Sequence, residues 1–107
     1  MLTHNQKIAF ASIIIEMANV DGSIDIRECA VVNRIFATLA IDAETFIIAK
    51  EITLPTAIKV MDGATAEAKL LLAKMLVEVI DADNRVDDAE IRLLNTVAAH
   101  LGLDNLV

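Results

Sequence analysis

The fold is decided by one stretch of the sequence, Asn19-Val20-Asp21-Gly22-Ser23-Ile24-Asp25-Ile26-Arg27-Glu28. Most of it returns further along the chain as Asp81-Ala82-Asp83-Asn84-Arg85-Val86-Asp87-Asp88-Ala89-Glu90. We call residues 19–28 the first acidic corner and residues 81–90 the second acidic corner. Each has acids, a turn residue, a β-branched residue and a final Glu in the same order, and each lies between two segments of apolar helical periodicity. The pattern therefore predicts two helix-loop-helix hairpins.

The acidic corners belong to a longer internal repeat, since a shift of 62 positions aligns residues 8–42 with residues 70–104. Helical periodicity explains why one aliphatic residue replaces another, but it does not explain five shared acids. We interpret the repeat as a duplication in which two hairpins pack about a pseudo-twofold axis. The identical pairs are Ala11/Ala73, Glu16/Glu78, Asp21/Asp83, Asp25/Asp87, Glu28/Glu90, Asn33/Asn95, Ala37/Ala99, Leu39/Leu101 and Asp42/Asp104.

The composition favours a single all-α domain. A chain of 107 residues is long enough for one apolar core, and hydrophobic residues make up 56% of it while aromatic residues make up only 3%. A sandwich or barrel needs more aromatic residues and more Gly and Pro turns, so closely packed helices fit better. We expect one helical bundle, residues 1–107, of about six helices. The large aliphatic surface also predicts a homodimer or a membrane-associated protein partner.

The charge of the chain limits its partners. Lys and Arg number 9 against 16 Asp and Glu, which gives a net charge of −7. A phosphate backbone would be repelled, so nucleic acid is excluded as a partner, whereas divalent cations and basic protein surfaces are favoured.

The sequence also predicts a cytoplasmic protein, either free or at a membrane surface. Its apolar runs are interrupted by Glu16 and Glu78 and fall short of the ~20 residues that a transmembrane helix needs. One cysteine, Cys29, excludes an internal disulfide bond and suits a reducing compartment. Its apolar neighbours predict a buried small residue.

Capping residues and periodicity predict where the helices lie. The first helix is apolar around most of its circumference, so we expect it at the centre of the bundle. The last helix is expected to bury Ile91, Leu94, Val97, Ala98 and Leu101. The predicted helices run from the cap Thr3 to about Asn19, from Asp25 onward, from Asp42 to about Ile52, from about Thr56 to Met61 after Pro55, from Thr65 to about Ala82, and from Asp87 to Leu101.

Helix capping alone explains much of the acidic corners. Asp25 and Asp87 lie at N-cap positions, and Glu28 and Glu90 fall in the first helical turn, where the helix dipole favours negative charge. In this interpretation the chain is a structural helical scaffold or dimerisation domain, and its acids bind nothing.

A metal site is the other interpretation, because each acidic corner resembles an EF-hand loop from its third position onward. The match fails at position one, where Met17 and Val79 cannot bind a hard cation, so a true EF-hand pair is not expected. A looser carboxylate site for Ca²⁺ or Mg²⁺ stays open. Its predicted ligands are Asp21, Asp25, Glu28, Asp83, Asp87 and Glu90.

The same residues resemble the tellurite-resistance TerB-like domains. The resemblance rests on Met17-Ala18-Asn19-Val20-Asp21-Gly22-x-Ile24-x-x-x-Glu28 and on Ile80-Asp81-Ala82-Asp83-Asn84-x-Val86-x-x-x-Glu90, and it covers nearly the whole chain. It implies an all-helical fold, divalent metal at the matching acids Asp21, Glu28, Asp83 and Glu90, and a role in a stress-response system beside membrane and Ca²⁺-binding partners. The sequence departs from the pattern at Val20, where the family has Ala, and at Asn84, where it has a second Gly.

No catalytic motif supports an enzyme. The sequence has no Glu-x-x-His, no His-Glu-x-x-His and no glycine-rich phosphate loop. His100 lies in the last turn of the last predicted helix, where it reads as a surface residue that interacts with the helix dipole. We therefore expect a non-catalytic, metal-responsive interaction module of a bacterial stress or envelope-associated system.

Overall fold

The computed structural model describes residues 2–20, 26–82 and 88–102, without the side chains of residues 26 and 28. Six α-helices and no strand lie in these ranges, so the predicted all-α fold is confirmed. The helices are α1 (His4–Asn19), α2 (Ile26–Thr38), α3 (Ala43–Ala49), α4 (Leu54–Asp62), α5 (Ala66–Asp81) and α6 (Asp88–Leu101). None of these helices combines the length and apolar character needed to cross a bilayer.

The central element is α1, which packs against all five other helices. Every residue from Ala9 to Ile14 is buried, including the aromatic side chain of Phe10. A helix apolar on nearly every side can be accommodated only where neighbours surround it. The predicted central position of the first helix is therefore confirmed.

Short polar side chains define where the helices begin. Thr3 forms a capping box with Gln6: the Gln6 N–H donates to Thr3 Oγ1 at 3.1 Å, and the Thr3 N–H donates to Gln6 Oε1 at 3.0 Å. Thr65 accepts from the Ala68 N–H at 3.1 Å at the start of α5. These two predicted caps are confirmed.

The helices α3 and α4 differ from the predicted boundaries. α3 ends at Ala49, three residues before the expected Ile52. α4 begins at Leu54, with Thr53 as its N-cap and Pro55 inside its first turn. Proline is tolerated there because the first N–H groups of a helix have no partner within the helix. Pro55 therefore helps to start α4, whereas the sequence predicted a start at about Thr56.

Two predicted side-chain positions are wrong. Ile91 is 37% exposed, and Leu93 is buried in its place, because α6 is rotated relative to the predicted apolar stripe. Cys29 is exposed, not buried. It borders an open groove that also includes Ile15 and Phe46.

Equivalent boundaries relate the two hairpins. α1 and α5 begin and end 62 positions apart, as do their N-caps Thr3 and Thr65, and α2 and α6 begin 62 positions apart. The correspondence thus extends upstream of the residues aligned from sequence. Superposition of residues 8–42 on 70–104 stays a prediction, and a common hairpin angle is its expected result.

The ends of α2 and α6 also correspond. Ala40 has a φ of 56° and Gly102, 62 positions later, has a φ of 72°. After α2 the Ile41 N–H donates to the Phe36 carbonyl oxygen at 2.9 Å, and the Ala40 N–H donates to that of Ala37 at 3.2 Å. This is a Schellman motif, in which glycine normally occupies the left-handed position. The first hairpin has alanine there, which is strained.

Replacing this alanine should stabilise the protein. A left-handed backbone costs an L-residue about 1–2 kcal/mol, and the greater chain entropy of glycine offsets part of the gain. We expect Ala40→Gly to raise the free energy of unfolding by about 0.5–1 kcal/mol, which corresponds to about 2–8 °C in Tm. The measurement is thermal unfolding followed by circular dichroism.

The matched control is Ala37→Gly, an exposed position inside α2 in the same turn. There glycine should lower the free energy of unfolding by about 0.5–1 kcal/mol, because no strain is relieved. The same sign for both variants would contradict the left-handed assignment of Ala40.

Candidate functional site: the two acidic corners

The acidic corners occupy the same place in the two hairpins. The first connects α1 to α2, and the second connects α5 to α6. Four of the predicted ligands lie outside the described residues, and so does the Glu28 side chain; the four are Asp21, Asp25, Asp83 and Asp87. Glu90 is the predicted ligand whose side chain is described.

Glu90 is buried in the first turn of α6, with only 4% of its surface exposed. The sequence predicted it as a ligand or first-turn acid but did not predict its burial. The signal was present, because Glu90, Leu93, Val97 and Leu101 follow one another at helical spacing and all four are buried. A buried carboxylate is costly unless it is paired, hydrogen-bonded or bound to a metal. The second acidic corner thus brings one carboxylate into the protein interior.

The first EF-hand position contributes no ligand in either hairpin. Met17 and Val79 are both fully buried in the core. Asn19, at position three, donates its side-chain N–H to the Ile15 carbonyl oxygen at 2.9 Å, so its amide is held against the end of α1. Its counterpart Asp81 is exposed at the end of α5. Any cation at these corners would therefore depend on the later carboxylates.

The described residues taken alone contain no cluster of three or more His, Cys, Asp or Glu side chains able to hold a metal ion. Within the two acidic corners, the described side chains that carry a possible oxygen ligand are those of Asn19, Asp81, Asp88 and Glu90. These donors suit a hard cation such as Ca²⁺ or Mg²⁺, which takes carboxylate and amide oxygens. The residue types therefore fit such an ion, and a complete ligand set would need the acids of residues 21–25 and 83–87.

An acid just before the second corner has a structural role. Glu78 Oε2 lies 2.9 Å from the Arg34 guanidinium, and the pair connects α5 to α2. The Arg34 side chain is 60% exposed, so the pair contributes at most about 1 kcal/mol. Its equivalent in the first hairpin, Glu16, is exposed on α1. The shared acids at this position therefore do not have the same environment.

Asp42 shows how an acid acts as a simple cap in this protein. It is exposed at the start of α3, and its Oδ1 accepts a hydrogen bond from the Thr45 N–H at 2.8 Å. Hydrogen bonds from the Thr45 backbone and hydroxyl lower the pKa of Asp42, because they stabilise the charged form. Capping explains this acid without a ligand.

The histidines are at the ends of α1 and α6 that do not adjoin the acidic corners in the sequence. His4 is exposed in the first turn of α1, and His100 is exposed in the last turn of α6. His100 Nδ1 lies 2.8 Å from the Thr96 carbonyl oxygen, one turn earlier in the same helix. The predicted surface position of His100 is confirmed.

Comparison with known proteins identifies the fold. A comparison with protein-family models gives no match, and neither does one with curated proteins. A crystal structure of a protein of unknown function from Porphyromonas gingivalis W83 superposes with a TM-score of 0.77 at 23% sequence identity. The match covers 96% of this chain and 87% of that chain. The chain therefore has the same helical fold as this bacterial protein.

Proposed function

We propose that this protein is a non-catalytic, divalent-metal-responsive interaction module of the TerB-like kind, in a bacterial stress or envelope-associated system. The observation that carries the proposal is the repetition of one set of acids at the same place in two hairpins whose helix boundaries correspond. Helix capping needs one acid at the start of each helix, whereas three acids are repeated in each of the two corners. The proposed oxygen donors are Asp21, Asp25, Glu28, Asp83, Asp87 and Glu90.

The proposed cation would stabilise the folded protein by reducing electrostatic repulsion. Carboxylates crowded at two corners of a protein with a net charge of −7 repel one another. A divalent cation relieves this repulsion and binds only the folded chain, so binding stabilises the fold. Because Met17 and Val79 remove the first ligand of each loop, the affinity should be weak, in the millimolar range of about 10⁻⁴–10⁻³ M.

The proposed location is the cytoplasm or the surface of a membrane, with a protein partner and no nucleic acid. Because the protein is acidic, we expect its partner to bind through a basic surface. Metal binding would lower the negative charge of the corners and so change how strongly such a partner is attracted.

A structural scaffold is the second candidate, and Asp42 favours it. That residue demonstrates an acid of this chain acting only as a helix cap. Asp88 and Glu90 likewise lie in the first turn of α6, where negative charge is favoured. In this alternative the acids stabilise helices and the protein does not respond to metal.

Thermal unfolding in divalent salt distinguishes the two functions. We expect Tm to rise in 1–10 mM CaCl₂ or MgCl₂ beyond an NaCl control of equal ionic strength, since a hundredfold excess over Kd adds about 2.7 kcal/mol and smaller excesses add less. The double variant Asp21→Asn with Asp83→Asn should lose the additional rise, because it removes one carboxylate from each corner.

The control double variant is Glu44→Gln with Glu51→Gln, which removes the same charge from exposed positions on and just after α3. It should retain the divalent effect even if its Tm differs without metal. Coincident divalent and monovalent curves for the unmodified protein would contradict the metal proposal and leave the scaffold.

A further inference from the structure

The helices α1 and α5, which are equivalent in the two hairpins, are not covered equally. α4 packs against both α1 and α6 and so occupies the groove between them. The shift of 62 positions exchanges α1 with α5 and α6 with α2, so the equivalent groove lies between α5 and α2. An open groove of about 470 Å³ lies along the first half of α5, beside Leu39 just after the end of α2, and no described helix fills it. We call it the α5 groove; it is lined mainly by Leu2, Leu39, Glu67, Leu70, Leu71 and Lys74.

Equivalent residues confirm that this face of α5 is open. Ile8 on α1 is partly buried, whereas its counterpart Leu70 is 45% exposed. Val77, seven residues after Leu70 and on the same side of α5, is 42% exposed. A helix that exposes two large aliphatic side chains on one face beside an apolar groove is typical of an interaction surface.

We propose that the α5 groove binds α5 of a second copy of this chain, so that two copies form an antiparallel, twofold-symmetric dimer. The charges at the groove specify this occupant. Glu67 and Lys74 are exposed two turns apart on α5, on either side of Leu70 and Leu71. A twofold axis passing between Leu70 and Leu71 places Glu67 of each copy opposite Lys74 of the other. The contact contains two opposite-charge pairs around an apolar centre.

The net charge of −7 opposes association of identical copies, and this pairing adds no like-charge repulsion at the contact itself. The charges of Glu67 and Lys74 cancel, so the contact itself is neutral. Both copies present the same surface to each other, and a twofold interface requires such a self-complementary surface. Exposure of an aliphatic side chain alone does not place it at the proposed contact: Ile47 on α3 is 60% exposed but does not line the α5 groove. The proposal does not depend on metal binding at the acidic corners.

Sedimentation velocity of the full chain at 10–100 µM in metal-free buffer tests the proposal. The unmodified protein should sediment as a dimer of about 23 kDa, twice the 11.6 kDa of one chain. Leu70→Asp should give a monomer that retains its helical circular dichroism, because the change is at an exposed position. The control Ile47→Asp introduces the same charge elsewhere and should remain dimeric.

A charge exchange locates the twofold axis. Glu67→Lys alone and Lys74→Glu alone should each raise the dimer Kd about tenfold or more, since like charges then face each other twice. The double variant restores opposite charges and should return Kd to within about threefold of the original. Four results would overturn the proposal: a monomeric unmodified protein at 100 µM, a Leu70→Asp dimer, loss of the dimer in Ile47→Asp, or no recovery in the double variant. Binding of a peptide of residues 53–63 by a monomeric protein would instead assign the groove to an α4-like helix.

Discussion

Phe10→Ala should lower the free energy of unfolding by about 3–5 kcal/mol. Phe10 is fully buried on α1, and α1 contacts every other helix. Truncation removes the aromatic ring and leaves a cavity that the surrounding helices can fill only in part. Since domains of this size have a total stability of about 5–15 kcal/mol, the loss is a large share of it. Urea denaturation of both proteins measures the difference.

The control for this prediction is Ile47→Ala, a truncation at a side chain that is 60% exposed. It should change the free energy of unfolding by no more than about 0.5 kcal/mol. Equal losses for Phe10→Ala and Ile47→Ala would show that α1 is not the centre of the core.

The helices that the sequence predicted best are those with strong local signals. α1 and α5 both start after a threonine cap and contain long apolar runs, and their boundaries agree with prediction to within about one residue. Local capping chemistry and periodicity suffice there, because few other conformations would satisfy them.

Short helices and helix rotations were harder to predict. Whether Pro55 ends one helix or starts the next depends on where the chain turns, and both roles agree with its fixed φ angle. On α6, Ile91 and Leu93 are both aliphatic, so sequence alone does not say which faces the core. Contacts with α1, α4 and α5 decide the rotation of the helix, and those contacts are long-range.

In the candidate site, too, features set by the local sequence were predicted and features set by long-range contacts were not. Equivalent acidic corners followed from spacing, because the helix boundaries repeat with the same shift as the acids. The burial of Glu90 and the exposure of Cys29 could not be predicted from spacing, since each depends on whether another helix covers the side chain. Sequence similarity between two hairpins does not reveal that α4 packs against α1 and not against its counterpart α5.

This unequal covering predicts that exchanging one pair of equivalent residues has a large effect on stability at the covered position and a small effect at the open one. Ser12 on α1 is 6% exposed, whereas Lys74, 62 positions later on α5, is exposed. A duplication would once have placed the same residue at both positions. The small serine occupies the enclosed position and the charged lysine the open one, in agreement with their burial.

Ser12→Lys, which copies the residue of the second hairpin into the first, should be the most damaging of the proposed variants. A buried ammonium loses several kcal/mol of hydration, and the longer side chain adds about 1–3 kcal/mol of overpacking. We expect a total loss of more than about 4 kcal/mol, a large share of the stability of the domain. The reverse change, Lys74→Ser, should stay within about 0.5 kcal/mol when both are measured by urea denaturation at a protein concentration too low for dimerisation. A folded Ser12→Lys protein of near-normal stability would mean that α1 is no better covered than α5, and the groove on α5 would then have no filled counterpart.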